Sequence, residues 1–210
     1  MSLVYAIASP DICVGDFEDR VQRLCKGGVD AIVLRAKWLS EDEYFTLALR
    51  LKKLCQSSKT RLVINHFYEV AINLNLDFWA SGEWIRDRLD SLGLCYGDFS
   101  AFRDLKCGIK SGFYAPAHSL LEAMAALSLG ASLLVVSPIF GASCKPNAKP
   151  AGVSLIGQIF NEFGGVKIIA LGGINPQNAP LCIKSGACGV ALLSEPMQTK
   201  DPEGFARLYK

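Results

Sequence analysis

The residue in this sequence best suited to acid–base chemistry is His118, one of two histidines in the chain. An imidazole titrates near neutral pH, and His118 stands directly before Ser119, a residue type that commonly begins a helix. The alternative is structural, since such a histidine can simply cap or hydrogen-bond the turn at Ser119. We interpret His118 as the acid–base group and keep the structural role as the alternative.

A glycine pair, Gly172-Gly173, forms a second candidate site because it directly follows the apolar run Lys167–Leu171. A similar run, Gly189–Leu193, ends at Ser194. Continuous apolar runs of this length are typical of parallel strands buried on both faces. Two such strands would present backbone N–H groups at one edge of a sheet, where glycine allows an anion to approach closely. We therefore predict a phosphate site at Gly172, Gly173, Leu193 and Ser194; a tight turn that needs glycine only for its dihedral angles is the alternative.

Cationic and amide side chains follow other apolar runs. Arg35 and Lys37 come after the second run of the chain, and Asn65 follows the third. On a strand, the alternating spacing of Arg35 and Lys37 directs both side chains the same way, either into the site as an anion clamp or outward as a solvated pair. Lys145 lies in a proline-containing loop, where it is either a lid lysine or a surface charge. Together these groups suit a phosphorylated or carboxylated small molecule.

The elements that must position these residues alternate between apolar strands and amphipathic helices. The strand signals are Leu3–Ala8, Asp30–Leu34, Leu62–Ile64, Phe78–Ala80, Gly112–Ala117, Ala131–Ser137, Lys167–Leu171 and Gly189–Leu193. This alternation predicts an α/β fold with a single (β/α)8 barrel domain over residues 1–210. An open doubly wound sheet is the competitor. We favour the barrel because its phosphate-type loops follow strands seven and eight, and no glycine-rich fingerprint follows strand one.

Helix starts are marked by capping residues. The predicted caps are Asp16, Ser40 with Glu43 as a capping box, Ser119, and Asn175 followed by Pro176. The last two would begin helices over Leu120–Leu129 and Gln177–Lys184, and Asp201-Pro202 would begin a short final helix. The segment Gly93–Ser111 has no clear period, and the sequence leaves open whether it covers the site.

The charge balance and the hydropathy of the chain limit the kinds of partner that it can be expected to bind. Lysine and arginine number 22 against 20 acidic residues, and the mean hydropathy of +0.26 comes without an apolar span long enough to cross a membrane. We therefore expect neither nucleic acid nor membrane as a partner. The eight cysteines form no C-x-x-C pair, which favours reduced, mostly buried thiols in a cytoplasmic protein.

At these residues the chain resembles the thiamin phosphate synthase and TenI family of barrels. Five blocks carry the resemblance: Arg35 and Lys37 are similar to Q-L-R-x-K, Leu62–Asn65 to I-I-N-D, Ala117–Ser119 with Glu122 to S-x-H-S/T-x-x-E-A, Pro138–Phe140 with Lys145-Pro146 to P-I-F-x-T-x-T-K-P, and Ala170–Ile174 to A-I-G-G-I. The resemblance covers nearly the whole chain and implies a phosphate-binding barrel that acts on thiamin precursors.

The synthases of this family join a pyrimidine diphosphate to a thiazole phosphate and hold Mg²⁺ on two carboxylates. This chain has His66 and Ile85 at those two positions, and Val33 at the position of the glutamine. Ala142 and Cys144 replace the two threonines of the loop. Mg²⁺ prefers hard oxygen ligands in octahedral geometry, so the sequence predicts no metal site of the synthase type.

TenI-like relatives lack the same metal site and keep the histidine found here as His118. The resemblance therefore implies a thiazole tautomerase, an isomerase that moves a proton on a thiazole phosphate carboxylate without a cofactor. In this hypothesis His118 transfers the proton, Gly172, Gly173, Leu193 and Ser194 hold the phosphate, and Arg35, Lys37, Asn65 and Lys145 bind the rest of the substrate. A homodimer is the expected assembly.

Two alternatives remain at this stage. The first is a divergent thiamin phosphate synthase that recruits Mg²⁺ through diphosphate oxygens and another side chain such as Glu83. The second is a non-catalytic protein that binds thiamin intermediates as a carrier or regulator. The apolar residues Val33, Trp84 and Ile85, placed by the resemblance around a normally polar site, favour this second alternative.

Overall fold

The computed structural model describes residues 2–94, 112–141 and 150–210. Eight parallel strands close into a barrel in sequence order. The strands are β1 (Leu3–Ala8), β2 (Ala31–Leu34), β3 (Arg61–Asn65), β4 (Asp77–Trp79), β5 (Phe113–Ala117), β6 (Leu133–Val136), β7 (Ile168–Leu171) and β8 (Gly189–Leu192). The predicted (β/α)8 barrel is therefore confirmed.

A helix follows each strand. The helices are α1 (Phe17–Lys26), α2 (Glu41–Gln56), α3 (Tyr68–Leu74), α4 (Gly82–Ser91), α5 (Leu120–Ser128), α6 (Gly152–Phe163), α7 (Ala179–Lys184) and α8 (Ser194–Gln198). None of the helices within the described ranges is long and apolar enough to span a membrane. Short 3₁₀ turns occupy Pro10–Ile12 and Phe205–Leu208.

The caps predicted for α1, α2 and α5 are confirmed. Asp16 Oδ1 accepts the Asp19 N–H at 2.8 Å, and Ser119 Oγ accepts the Glu122 N–H at 3.2 Å. Ser40 and Glu43 form a reciprocal capping box. Each cap supplies an acceptor to an N–H that has no partner within its own helix. The local sequence thus fixes where these helices begin, and with them the ends of the preceding loops.

Alternating side chains along the strands make two separate apolar layers. Tyr5, Val33, Val63 and Ile169 belong to the cluster inside the barrel, and Tyr5 lies beside Ala31 of one neighbouring strand and Ala191 of the other. The intervening strand residues pack outward against the helices. The barrel is therefore a filled core, and the rim at the carboxyl ends of the strands, which we call the mouth, is where functional side chains can converge.

The opposite rim of the barrel is closed by a polar network. The Arg61 guanidinium donates to the Tyr5 hydroxyl at 2.7 Å and lies 3.4 Å from Asp77 Oδ2. Asp77 also accepts the Tyr114 hydroxyl at 2.5 Å and the Gly112 N–H at 2.8 Å. Burial raises the pKa of both tyrosines, so Tyr5 remains a neutral acceptor and Tyr114 a neutral donor. This network joins β1, β3, β4 and β5 far from the mouth.

The helices of the structure differ from the predicted ones in three places. The helix α3 was not predicted from the sequence. The helix predicted over Gln177–Lys184 starts later, at Ala179, because Asn175 first forms a turn in which its side chain accepts the N–H groups of Gln177 and Asn178. The predicted final helix is a 3₁₀ turn, since the Asp201 side chain accepts the Gly204 N–H and holds that segment in a local turn.

The segment Gly93–Ser111, for which the sequence left open whether it covers the site, lies outside the described residues except for Gly93 and Leu94. It joins the carboxyl end of α4 to the start of β5. The described residues on either side of 95–111, Leu94 and Gly112, therefore lie at the rim opposite the mouth.

Candidate functional site

Five strands bring predicted site residues to the mouth. Arg35 follows β2, Asn65 ends β3, His118 follows β5, the pair Gly172-Gly173 follows β7, and Ser194 lies two residues beyond β8. Because all strands are parallel, their carboxyl ends meet at this single rim. The structure thus gathers residues that are far apart in sequence.

His118 is held by a carboxylate of the helix that follows it. Its Nδ1 lies 2.7 Å from Glu122 Oε2, and the same oxygen accepts the His118 backbone N–H at 2.8 Å. The hydrogen bond from the imidazole lowers the pKa of Glu122, which therefore stays ionised. The carboxylate fixes the ring orientation and leaves Nε2 as the nitrogen that can exchange a proton with a ligand.

Of the structural alternative for His118, the hydrogen bond to the turn is present, through Glu122, and the capping role belongs to another residue. Ser119 Oγ, and not the imidazole, accepts the Glu122 N–H in the first turn of α5. The histidine side chain is 44% exposed, so it does not serve as a buried packing residue. Glu122 is a partner of His118 that sequence reasoning left without a role. Its signal was its position three residues after the Ser119 cap, from which the carboxylate reaches back to the residue before the cap.

The two positions after β7 require glycine for two reasons: both have positive φ, and neither has room for a Cβ. Gly172 and Gly173 have φ values of 102° and 63°. A Cβ on Gly172 would lie 2.9 Å from Pro138 Cα, and one on Gly173 would lie 2.4 Å from the Gly141 carbonyl oxygen. The loop after β6 also donates the Phe140 N–H to the Gly172 carbonyl at 3.0 Å. The pair is therefore the point where the loops after β6 and β7 pack backbone to backbone.

Asparagine side chains brace the same turn. Asn178 Nδ2 donates to the Gly173 carbonyl at 3.0 Å, and Asn178 Oδ1 accepts the Asn175 N–H at 2.8 Å. Within residues 2–94, 112–141 and 150–210, the N–H groups of Gly172, Gly173 and Ile174 have no hydrogen-bond acceptor. These donors are suited to an anion. The brace by Asn178 was not predicted from the sequence.

Leu193 and Ser194 lie beside this turn. The strand β8 ends at Leu192, and Ser194 is the first residue of α8. Leu193 packs against the apolar cluster inside the barrel, so it offers only its backbone to a ligand. The next helical residue, Glu195, accepts a hydrogen bond from the Tyr209 hydroxyl and anchors α8 to the end of the chain.

The geometry predicted for Arg35 and Lys37 is wrong in one respect. The strand β2 ends at Leu34, so both residues lie beyond it and the alternation rule for strands does not apply. Arg35 Nη1 is 3.4 Å from Ser9 Oγ, and the fully buried Ser9 hydroxyl donates to Asp11. Lys37 is exposed. Arg35 is thus placed near the end of β1, a contact for which the sequence carried no signal.

Asn65 is tied to the neighbouring strands. Its Nδ2 donates to the Trp79 carbonyl at 3.0 Å. The buried Tyr44 hydroxyl donates to the Leu34 carbonyl at 2.7 Å and accepts the Asn65 N–H at 3.2 Å. Tyr44 therefore connects the ends of β2 and β3, which fixes the spacing of the residues that follow them.

The remaining substrate-binding prediction, Lys145, lies outside the described residues, as do Ala142 and Cys144. Within the described ranges, no group of three or more histidine, cysteine or acidic residues could hold a metal ion.

The two positions that the resemblance assigns to Mg²⁺ ligands do not fit that ion. Ile85 is 2% exposed and packs in the outer apolar layer, and the His66 ring lies edge-on to Phe67 with centroids 5.0 Å apart. A hydrocarbon and an imidazole do not supply the oxygen ligands that Mg²⁺ requires. Trp84 packs its ring against Phe78 at 5.3 Å, so neither Trp84 nor Ile85 makes the mouth apolar, and the argument for a non-catalytic binder loses this support.

These features define a (β/α)8 barrel with a braced glycine turn and a carboxylate-held histidine at one rim. The sequence profile described as thiamine monophosphate synthase matches residues 4–83 and 115–195. The chain belongs to this family.

Relatives support the same family. The chain is 28% identical to a thiamine-phosphate synthase of Clostridium acetobutylicum, over 92% of this chain and 85% of the relative. It is 29% identical to a putative thiamine-phosphate synthase 2 of Aquifex aeolicus, over 91% and 95%. The thiamine phosphate pyrophosphorylase structure from Pyrococcus furiosus superposes with a TM-score of 0.76 at 21% identity, covering 99% of this chain and 95% of that one, and supports the fold.

The names of these relatives match the synthase alternative better than the tautomerase hypothesis. The chain is thus placed in thiamine biosynthesis, while the reaction it carries out is the subject of the proposal below.

Proposed function

We propose that the mouth binds a phosphorylated thiazole and that His118 moves a proton on it, as in a thiazole tautomerase. The observation that carries this proposal is the His118–Glu122 pair, with Nδ1 and Oε2 2.7 Å apart at a strand end. A carboxylate that orients an imidazole is the arrangement that a single-residue proton shuttle needs.

The phosphate would be held by the turn after β7. The N–H groups of Gly172 and Gly173, with those at the start of α8, supply donors without side chains that would crowd the anion. Arg35 would add positive charge for the substrate carboxylate. Lys37, Asn65 and Lys145 remain predicted contacts for the rest of the molecule.

The proton transfer would run through one nitrogen. His118 Nδ1 is engaged by Glu122, so Nε2 takes the proton from one substrate atom and returns it to another. No atom is lost or gained, because the product is the aromatic isomer of the same thiazole. The reaction therefore needs no leaving group and no cation to neutralise one.

A second candidate is the coupling of a pyrimidine diphosphate to the thiazole phosphate, which the relatives' names favour. Ile85 is buried and His66 carries no carboxylate, so the synthase-type Mg²⁺ site lacks both of its expected ligands in this chain. A coupling enzyme would have to assemble another metal shell, for which Glu83 at the start of α4 is an exposed carboxylate.

One experiment separates the two. Purified protein is incubated with the thiazole phosphate carboxylate tautomer and followed by NMR, with and without Mg²⁺ and the pyrimidine diphosphate. Isomerisation without either addition supports the tautomerase; release of diphosphate that requires both supports the synthase.

The residue assignment is tested with matched histidine variants. His118→Ala should lower isomerisation by about 10²- to 10⁴-fold, the contribution of one positioned acid–base group. His66→Asn is the control, because asparagine accepts the positive φ of 79° found at His66. Full turnover in His118→Ala would reject the proposed role of His118.

A further inference from the structure

Two cysteines form a close thiol pair on the outside of the barrel. Cys25 lies in the last turn of α1 and Cys55 in the last turn of α2, and their Sγ atoms are 3.9 Å apart. Both residues are 4% exposed. A disulfide has an S–S length of about 2.05 Å, so bond formation requires the two sulfurs to approach by roughly 2 Å.

The pair is reached from a cavity that is separate from the mouth. A cavity of about 300 Å³ lies between α2 and the base of β3, and Cys55 forms part of its wall. Lys52, Lys59 and Arg61 also line it. Cys55 is therefore the member of the pair that lies beside space large enough for a small oxidant.

The local hydrogen bonding favours ionisation of one member of the pair. Cys55 can donate its S–H to a thiolate on Cys25, and this hydrogen bond lowers the pKa of Cys25 to about 7. The same interaction, with burial, raises the pKa of Cys55, because a second negative charge beside the first is unfavourable. The pair thus has one nucleophilic sulfur and one thiol beside it.

We propose that Cys25 and Cys55 are a redox-active pair that a peroxide converts to a disulfide linking α1 to α2. In the first step a thiolate attacks one peroxide oxygen, the O–O bond breaks, and the released hydroxide takes a proton to become water. In the second step the other sulfur attacks the resulting sulfenic acid, the S–S bond forms, and the hydroxyl leaves with a proton as a second water. Both thiols are oxidised, the peroxide is reduced, and either order of attack gives the same product.

The bond would close a loop across the 30-residue separation between the two cysteines. Loop closure of this size restricts the unfolded chain and should raise Tm by about 5–10 °C. Because the cysteines lie at the carboxyl ends of their helices, this change occurs at the rim opposite the mouth.

The test treats the reduced full chain with hydrogen peroxide, blocks remaining thiols by alkylation, and maps peptides by mass spectrometry. The expected result is a peptide pair joined through Cys25 and Cys55, with the loss of two hydrogen atoms, that dithiothreitol separates. Cys25→Ala should abolish both the link and the rise in Tm. Cys182→Ala, which removes another fully buried helical thiol, should retain both.

The peptide map of the wild-type protein tests the proposal even if the Cys25→Ala protein does not fold. The proposal is overturned if both thiols are still free after peroxide treatment and become alkylated. It is also overturned if either accumulates as sulfinic acid without a link, or if the link joins other cysteines.

Discussion

Replacing Gly173 with alanine should destabilise the protein more than the same change at Gly165. Both glycines have positive φ, 63° and 76°. They differ in surroundings, because a Cβ on Gly173 would lie 2.4 Å from the Gly141 carbonyl oxygen and 2.8 Å from Phe140 Cβ, while one on Gly165 would meet no atom within 4 Å. The pair of variants therefore separates dihedral strain from the close approach of two backbones.

The expected free energies follow from these two effects. Left-handed backbone costs an alanine about 1–2 kcal/mol, and part of this is offset because alanine restricts the unfolded chain more than glycine. Gly165→Ala should therefore lose about 0.5–1 kcal/mol of unfolding free energy. Gly173→Ala must also move the loop after β6, at a further cost of about 1–3 kcal/mol. Its total loss should be about 1.5–4 kcal/mol.

Urea denaturation followed by circular dichroism measures both losses, and thermal unfolding gives an independent check at about 2–4 °C per kcal/mol for a chain of this size. The proposed phosphate site predicts that added phosphate raises Tm. This rise, measured on the same samples, should be smaller in Gly173→Ala and unchanged in Gly165→Ala. Equal losses in the two variants would refute the argument, since they would show that the contact with Gly141 exerts no steric demand.

Two further predictions concern the supports of the mouth. Tyr44→Phe removes the hydroxyl that joins the Leu34 carbonyl to the Asn65 N–H, and should lower the urea unfolding free energy by about 1–3 kcal/mol because the buried partners lose a hydrogen bond. Glu122→Gln should be less stable than the wild type at pH 6, by less than about 1 kcal/mol because the ion pair with His118 is partly exposed. The folded-state pKa of Glu122 is depressed, so the advantage of the wild type is present above the unfolded value of about 4.3 and is lost as pH falls through the lower folded value.

Each of these predictions has a clear contrary result. An unchanged unfolding free energy in Tyr44→Phe would mean that water replaces the hydroxyl at the ends of β2 and β3. A wild-type advantage over Glu122→Gln that stays constant from pH 6 into strong acid would mean that the ionised carboxylate contributes nothing to the pair.

The fold was predictable because strong local signals agree with one another. Apolar runs located the strands, and Asp16, Ser40 and Ser119 located three helix starts, since caps act through neighbouring N–H groups. The helix α3 has only seven residues and no side-chain cap, so it was missed. Its stability comes from packing that the local sequence does not display, including the contact of Tyr68 with Phe78 at 5.5 Å.

The sequence predicted which residues lie at the carboxyl ends of the strands, but it did not predict the contacts that these residues make. Parallel topology alone places His118 and the glycine pair on one rim, because every strand ends there. The contacts of Arg35 with Ser9 and of Asn178 with Gly173 depend on loop geometry. Ile85 was placed at the mouth by the resemblance, whereas in the structure its side chain turns into the outer apolar layer.

The pairing of β1 with β8 has a consequence for how the protein is made. Leu3 pairs with Gly189, so β1 is synthesised well before its partner β8 and must wait for it. Until then β1 has one unsatisfied edge, the kind of surface on which nascent chains pair wrongly with one another. A stalled or prematurely terminated product that lacks Gly189–Leu192 would keep that edge open, which makes it a natural substrate for chaperones and proteases.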